Sequence, residues 1–187
     1  MKIEDVIDQP CSVETVAEVR QRVIDSGKHF YTTKEHLLRS ARSIAIHDAV
    51  FLAKLIGLVN PKTVIEIGTW FGTSAAVMES VNHCKIYTCD KQNVYSVTNK
   101  NIVFYNLLSD QFLKKIIKKE ISADLCFIDA NLRPGDAEML VKIIKGVFIV
   151  HDYIKGEKGD RAVSYLIGTG KKFNVLPYNG VAVLEYV

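Results

Sequence analysis

Five polar residues of this chain stand at the carboxyl ends of apolar runs, where a side chain can reach a ligand without disturbing a core. Glu66 follows Val64 and Ile65, Asp90 closes Lys85 to Cys89 (KIYTC), Asp129 ends DLCFID at 124–129, and His151-Asp152 follow Gly146 to Val150 (GVFIV). Carboxylates accept hydrogen bonds from hydroxyls and ammonium groups and ligate hard cations, and a histidine titrates near neutrality and can move a proton. The second chemical signal is TVIEIGTWFGTSAAVM at 63–78, an apolar run, a turn Gly68-Thr69-Trp70-Phe71-Gly72, and a helix-forming run entered through Thr73 and Ser74. A glycine at each bend suits backbone with φ > 0 or a close approach to a ligand. The helix beyond it presents free N–H groups and the positive end of its dipole to whatever sits above the strand. Glu66, two residues before the first glycine, disfavours a phosphate and suits a ligand with hydroxyls and a positive charge. Asp90 lies about twenty residues beyond the turn, the place of a ribose-binding carboxylate in nucleotide-binding α/β folds.

The elements that must position these groups follow from periodicity. Ser12, Glu14 and Thr15 start a helix through Val16, Val19 and Val23 that Gly27 ends. Lys28 to Glu35 (KHFYTTKE) is without clear periodicity and reads as a connector or a lid over a site; the loop of the lid extends to His36. From Thr33 to Val59 apolar residues recur at helical spacing, as one long or two consecutive helices closed by Asn60-Pro61. After the glycine turn, strands at 85–89, 102–105, 124–129 and 146–150 alternate with helices at about 111–120, 136–145 and up to Gly168; the 91–100 connection is short for a crossover helix. Strands at 172–177 and 181–187 flank Tyr178-Asn179-Gly180, a strong hairpin signal. Near-continuous apolar strands separated by helices predict an α/β fold, a mostly parallel sheet with helices on both faces and an antiparallel strand contributed by the hairpin. The division expected is an N-terminal helical extension, 1–44, and one ligand-binding domain, 45–187.

Composition narrows the partners. The 24 Lys+Arg against 21 Asp+Glu leave +3, too mild for a nucleic-acid binder. Lys114, Lys115, Lys118 and Lys119 read as the solvated face of a helix. Cys11, Cys84, Cys89 and Cys126 lack C-x-x-C spacing and read as reduced thiols of a cytoplasmic protein, with no apolar run of membrane-spanning length and no targeting peptide.

With these residues in view, VIEIGTWFGTS at 64–74, YTCD at 87–90, DLCFIDA at 124–130, GVFIVHDY at 146–153 and the terminal hairpin, the chain resembles class I S-adenosylmethionine-dependent methyltransferases. Within them it is similar to the small O-methyltransferases of the catechol and caffeoyl-CoA type and to sugar and antibiotic methyltransferases with an H-D-Y motif. The resemblance covers about residues 45–187 and implies a Rossmann-like sheet of order 3-2-1-4-5-7-6 with the last strand antiparallel. It implies S-adenosylmethionine as cofactor, a small-molecule or sugar acceptor, and room for a homodimer. Glu66, Gly68, Thr69, Trp70, Phe71, Gly72 and Ser74 would then surround the methionine portion, with Ser74 on its carboxylate and the two aromatic rings walling the sulfonium. Asp90 would take the ribose hydroxyls, Ser109 and Asp110 the adenine, and Asp129 would border the site. Asp129, His151 and Asp152 would form the catalytic rim, with Asp129 and Asp152 as ligands for magnesium or another divalent cation and His151 as the base. Two departures from the catechol pattern stand out: His151 opens the pair that is aspartate-asparagine there, and Leu132 stands where its lysine would be. Two other classes stay open, a dinucleotide-binding oxidoreductase, against which G-x-x-x-G stands in place of G-x-G-x-x-G, and a non-catalytic cofactor-binding protein.

Overall fold

A computed structural model describes residues 13–28, 44–95 and 97–187. The expected lid at 28–36 lies, beyond the backbone of Lys28, outside these residues, as does the first half of the helical stretch from Thr33. In chain order the elements are α1 (Val13–Lys28), α2 (Ile46–Val59), β1 (Thr63–Ile67), α3 (Thr73–Asn82), β2 (Lys85–Asp90), β3 (Ile102–Asn106) and α4 (Ser109–Lys118). They continue with β4 (Ala123–Ile128), α5 (Pro134–Ile143), β5 (Ile144–Val150), α6 (Lys158–Gly168), β6 (Phe173–Tyr178) and β7 (Val181–Tyr186).

The strands form one seven-stranded sheet in the order β3-β2-β1-β4-β5-β7-β6. The first five pair in parallel, and β7 runs antiparallel to both β5 and β6. The hairpin therefore inserts its second strand next to β5 and leaves β6 at the edge. Asn179 and Gly180 both take positive φ, 41° and 82°, the twist a two-residue hairpin requires.

Strand alternation divides the core in two. Val64, Ile86, Leu125, Phe127, Ile149 and Val183 pack with α1, α2 and α3 on one face, while Ile65, Ile67, Cys126, Ile128, Phe148 and Val150 pack with α4, α5 and α6 on the other. Helix α1 packs on this core: Val16, Val19 and Val23 are buried, a spacing of three and four that puts them on one stripe. Burying each stabilises by roughly 1.5–3 kcal/mol. Helix α2 ends as its sequence predicts, with Asn60 left-handed at φ 49° and Pro61 behind it. Helix α4 buries Phe112, Leu113 and Ile116 and turns Lys114, Lys115, Lys118 and Lys119 to solvent, the solvated face expected of them. No helix spans the described residues of 91–100, so β2 returns to β3 through a loop. Among the described residues no helix is long and apolar enough to cross a membrane, and Cys84, Cys89 and Cys126 are buried thiols.

This arrangement gathers the carboxyl ends of β1, β2, β4 and β5 along one rim of the sheet, where ligands bind in open α/β folds.

Candidate functional site

The glycine turn after β1 is held in shape by left-handed backbone at Gly68 (φ 100°), Trp70 (φ 48°) and Gly72 (φ 87°). At Gly68 a Cβ would lie 2.7 Å from the Asp129 carbonyl oxygen, and at Gly72 it would lie 2.7 Å from the Tyr95 ring. Both glycines thus have a packing reason to be there: the turn presses onto the end of β4 and onto the β2–β3 loop. Phe71 is buried in that packing, whereas Trp70 lines a cleft of about 550 Å³ above the strand ends, a size that takes a nucleoside-sized ligand.

Beneath the turn lies Glu66, fully buried. It faces α3 and pairs across the sheet with Thr88. Ser74 Oγ donates to its Oε1 and Thr88 Oγ1 to its Oε2, each at 2.5 Å, and Thr69 joins the chain through Thr88. Burial drives its pKa up to about 7 despite the Ser74 and Thr88 hydroxyls that favour the ionised form, with the charges of Asp129 and Asp90 adding to the rise. Ser74 and Glu66 are therefore occupied with each other under the turn, where the sequence reading sets both against the ligand.

Asp90, unlike Glu66, opens on the cleft. It accepts backbone N–H bonds from Trp70 at 3.0 Å and Gln92 at 2.8 Å, one per oxygen, which fixes the carboxylate plane and leaves a lone pair on each oxygen. Ser109 also lines the cleft, but its hydroxyl donates to the buried Asp136 at 2.7 Å. Asp110 turns away, toward Lys114 at 3.3 Å on the exposed face of α4.

At the other end of the cleft is a charged cluster. His151 Nδ1 is 3.0 Å from Asp129 Oδ1 and 3.4 Å from Asp152 Oδ1, and its Nε2 is 3.2 Å from Asp48 Oδ2. Lys158 Nζ is 2.6 Å from Asp129 Oδ1 and 3.0 Å from Asp152 Oδ2. Burial opposes charge on each member, yet the pairing wins. The hydrogen bond and charge of Asp129, with Asp152 and Asp48, lift His151 to about 9; His151 and Lys158 hold Asp129 below the ordinary carboxylate range; and Asp129 and Asp152 hold Lys158 above the usual lysine range. In this arrangement the imidazole is charged at neutral pH and carries a carboxylate on each side. One donor atom each from Asp129, His151 and Asp152 lies within 4.8 Å of the others, close enough to hold a metal ion. The expected catalytic and metal residues are thus brought together, with the Lys158 ammonium on both of the expected carboxylate ligands.

Two members of this cluster, Asp48 and Lys158, escaped the sequence reading. Asp48 sits in the first turn of α2 and reaches a residue 103 positions away, a contact no local pattern announces. Lys158 lies in the 155–160 segment, a glycine-bearing loop by sequence and a candidate acceptor-facing surface, but nothing local singles out this lysine. Leu132 is buried beside the cleft, so no lysine reaches the rim from that position. Behind Asp48 is a smaller hollow of about 140 Å³, walled by Phe51 and Tyr178, whose rings stack at 4.4 Å, and bordered by Lys54 and Asn179.

Comparisons with known proteins bear on the family and the fold. The family model for O-methyltransferases matches residues 16–153. Among solved structures, the fold is similar to an O-methyltransferase from Bacillus cereus in complex with SAH (TM-score 0.68, 14% identity, 96% of this chain and 93% of that one). It is also similar to TomG from Streptomyces achromogenes, an O-methyltransferase of tomaymycin synthesis solved with SAM (TM-score 0.68, 14% identity, 91% and 90% covered). MycE, from the mycinamycin biosynthetic pathway and solved with Mg and SAH, matches over less of its length (TM-score 0.53, 19% identity, 66% and 44% covered). No curated protein matches the chain in sequence.

Proposed function

The chain belongs to the O-methyltransferase family, and from that premise we propose that it methylates a hydroxyl of a small molecule or sugar with S-adenosylmethionine as donor. The observation that carries the reading is Asp90. Its carboxylate is fixed by two backbone N–H groups at the mouth of the cleft, with lone pairs left for the two hydroxyls of a ribose. The turn from Gly68 to Gly72 borders the methionine end, and Trp70 stands in the cleft where a sulfonium would pass, an attraction worth roughly 0.5–2 kcal/mol that the neutral product forfeits. Glu66 serves this site from below, holding Ser74 and hence the start of α3 against β1.

Bound S-adenosylmethionine supplies an electrophilic methyl group on a sulfonium. An acceptor hydroxyl taking that methyl group, with the carbon–sulfur pair left on sulfur, would give up its proton to a base at the rim. His151 in its neutral form, which its carboxylate neighbours make the minority below about pH 9, is placed to take it at Nε2 once the acceptor hydroxyl has replaced Asp48 there, with Asp129 keeping hold of the ring through Nδ1, so transfer should speed up as pH rises toward 9. The hollow behind Asp48, with its stacked Phe51 and Tyr178, gives an acceptor ring an apolar floor beside the exchange.

Calorimetric titration tests the donor site. S-adenosylmethionine and its demethylated product should bind and NAD should not, and Asp90→Ala should weaken both by at least about tenfold, or 1.4 kcal/mol. Absence of S-adenosylmethionine binding ends the reading. A panel of hydroxylated acceptors assayed by transfer of a labelled methyl group tests the acceptor class. His151→Ala at an unchanged rate excludes the proton acceptor named above.

A further inference from the structure

Lys158 opens α6, the end of a helix at which the aligned peptide dipoles disfavour a positive charge. Its ammonium is nonetheless seated there on three acceptors, Asp129 Oδ1 at 2.6 Å, Asp152 Oδ2 at 3.0 Å and the Asp129 carbonyl oxygen at 3.2 Å. Three acceptors use every N–H that an ammonium has. The backbone is shaped to deliver it. Gly159 is pressed so hard against the end of β5 that a Cβ there would lie 2.4 Å from the His151 carbonyl oxygen and 2.5 Å from that of Asp152. The Gly159 N–H donates to the Asp152 carbonyl at 3.2 Å, and Asp152 takes a left-handed φ of 54°, costly for a residue with a side chain.

Asp129, Asp152 and His151 are also the groups close enough to share a metal ion. An ion on these carboxylates would sit about 2.0–2.6 Å from each oxygen, in the space where the Lys158 nitrogen already contacts both residues. Two cations would then share one seat at a separation where Coulomb repulsion outweighs the gain of either, so the arrangement with Lys158 in place does not fit a metal ion.

We infer that Lys158 is the resident cation of this rim: its ammonium takes the seat that a divalent ion would otherwise take between Asp129 and Asp152, and the positive charge facing an incoming acceptor oxygen belongs to the chain itself. The role toward the acceptor rests on the methyl-transfer reading; occupancy of the seat does not.

Mn²⁺ titration followed by electron paramagnetic resonance tests the seat on the full chain, and calorimetry with the demethylated cofactor product on the same samples reports the donor site separately. Wild type should show no stoichiometric Mn²⁺. Lys158→Met, which keeps the length of the stem and removes the charge, should gain one Mn²⁺ per chain at least about tenfold tighter than any wild-type binding. Lys158→Arg should gain none, and adding Asp152→Asn to Lys158→Met should abolish the gain. Product affinity should stay within about threefold of wild type in Lys158→Met, or within 0.7 kcal/mol. Stoichiometric Mn²⁺ in wild type that Asp152→Asn removes overturns the inference even where Lys158→Met fails to fold, and so does a folded Lys158→Met that gains no ion. Failure of the product to bind any of these proteins instead strikes the methyl-transfer reading and leaves the seat standing.

Discussion

Glu66 and Asp129 are carboxylates at the ends of neighbouring parallel strands, the first fully buried and the second partly so at the cleft, and their environments drive them in opposite directions. Glu66 lies in a well lined by hydroxyls, with no cation on it among the described residues, and its pKa rises to about 7. Asp129 has the His151 imidazole and the Lys158 ammonium within 3.0 Å, and its pKa falls. Hydroxyl dipoles stabilise a buried anion less than formal charges do, so burial wins in one place and loses in the other. The hydroxyl well suits a role that needs shape, locking the glycine turn to β1. The charged rim suits a role that needs ionised groups at neutral pH.

The largest test of this contrast removes the anion from the rim. Asp129→Ala removes the closest anion from both cations and leaves His151 and Lys158 to share Asp152, with Asp48 on the far side of the imidazole; the unfolding free energy should drop by roughly 3–5 kcal/mol in denaturant titration, and a loss under about 1 kcal/mol would show the cluster to be solvent-screened. Next comes the pH profile of the well. The folded pKa of Glu66, about 7, lies above the ordinary value of 4.5. The folded state therefore prefers the protonated form, and this group's contribution is fully favourable below pH 4.5, declines as pH rises to about 7 and stays flat above. The span corresponds to about 3 kcal/mol. Glu66→Gln should remove this slope, so its stability relative to wild type should be greater at pH 8 than at pH 4.5 by about that amount; parallel profiles would mean that Glu66 does not titrate there.

A smaller effect is expected from Ser74→Ala, which deletes one hydrogen bond to a buried carboxylate. It should cost about 1.5–3 kcal/mol at pH 8 and less at pH 5, where Glu66 is protonated in either protein. Equal losses at the two pH values would place the hydroxyl's contribution elsewhere. The smallest lies outside both regions. Asp110→Ala breaks an exposed i,i+4 pair with Lys114, worth about 0.3–0.5 kcal/mol, and should leave the titration with S-adenosylmethionine unchanged. A clear loss of cofactor affinity in that variant would restore Asp110 to the adenine end of the cleft.

Much of the fold was legible because local rules and global topology agree. The glycine turn, the apolar parallel strands and Asn179-Gly180 each have a short-range signature, and the strand order 3-2-1-4-5-7-6 expected from the resemblance is the order found. Asp90 was legible for the same reason, since its distance from the turn sets its place on the sheet. The orientation of side chains at the rim was not. Ser74 and Glu66 read as ligand contacts because they flank the turn, but strand alternation sends Glu66 under α3, where the Ser74 and Thr88 hydroxyls both donate to it. Ser109 reads as an adenine contact, whereas its hydroxyl is spent on Asp136 from the start of α5.

The sequence by itself determined a parallel α/β sheet, the turn that enters α3 and the row of acids at the strand ends, because each follows from spacings of a few residues. Only the tertiary structure decided what those acids face. Asp48 comes to His151 from α2, and Lys158 comes to Asp129 and Asp152 from α6 because Gly159 lets that helix abut the end of β5. The charge of a rim is a sum over elements distant in sequence, and the sign of a carboxylate's pKa shift is set by that sum.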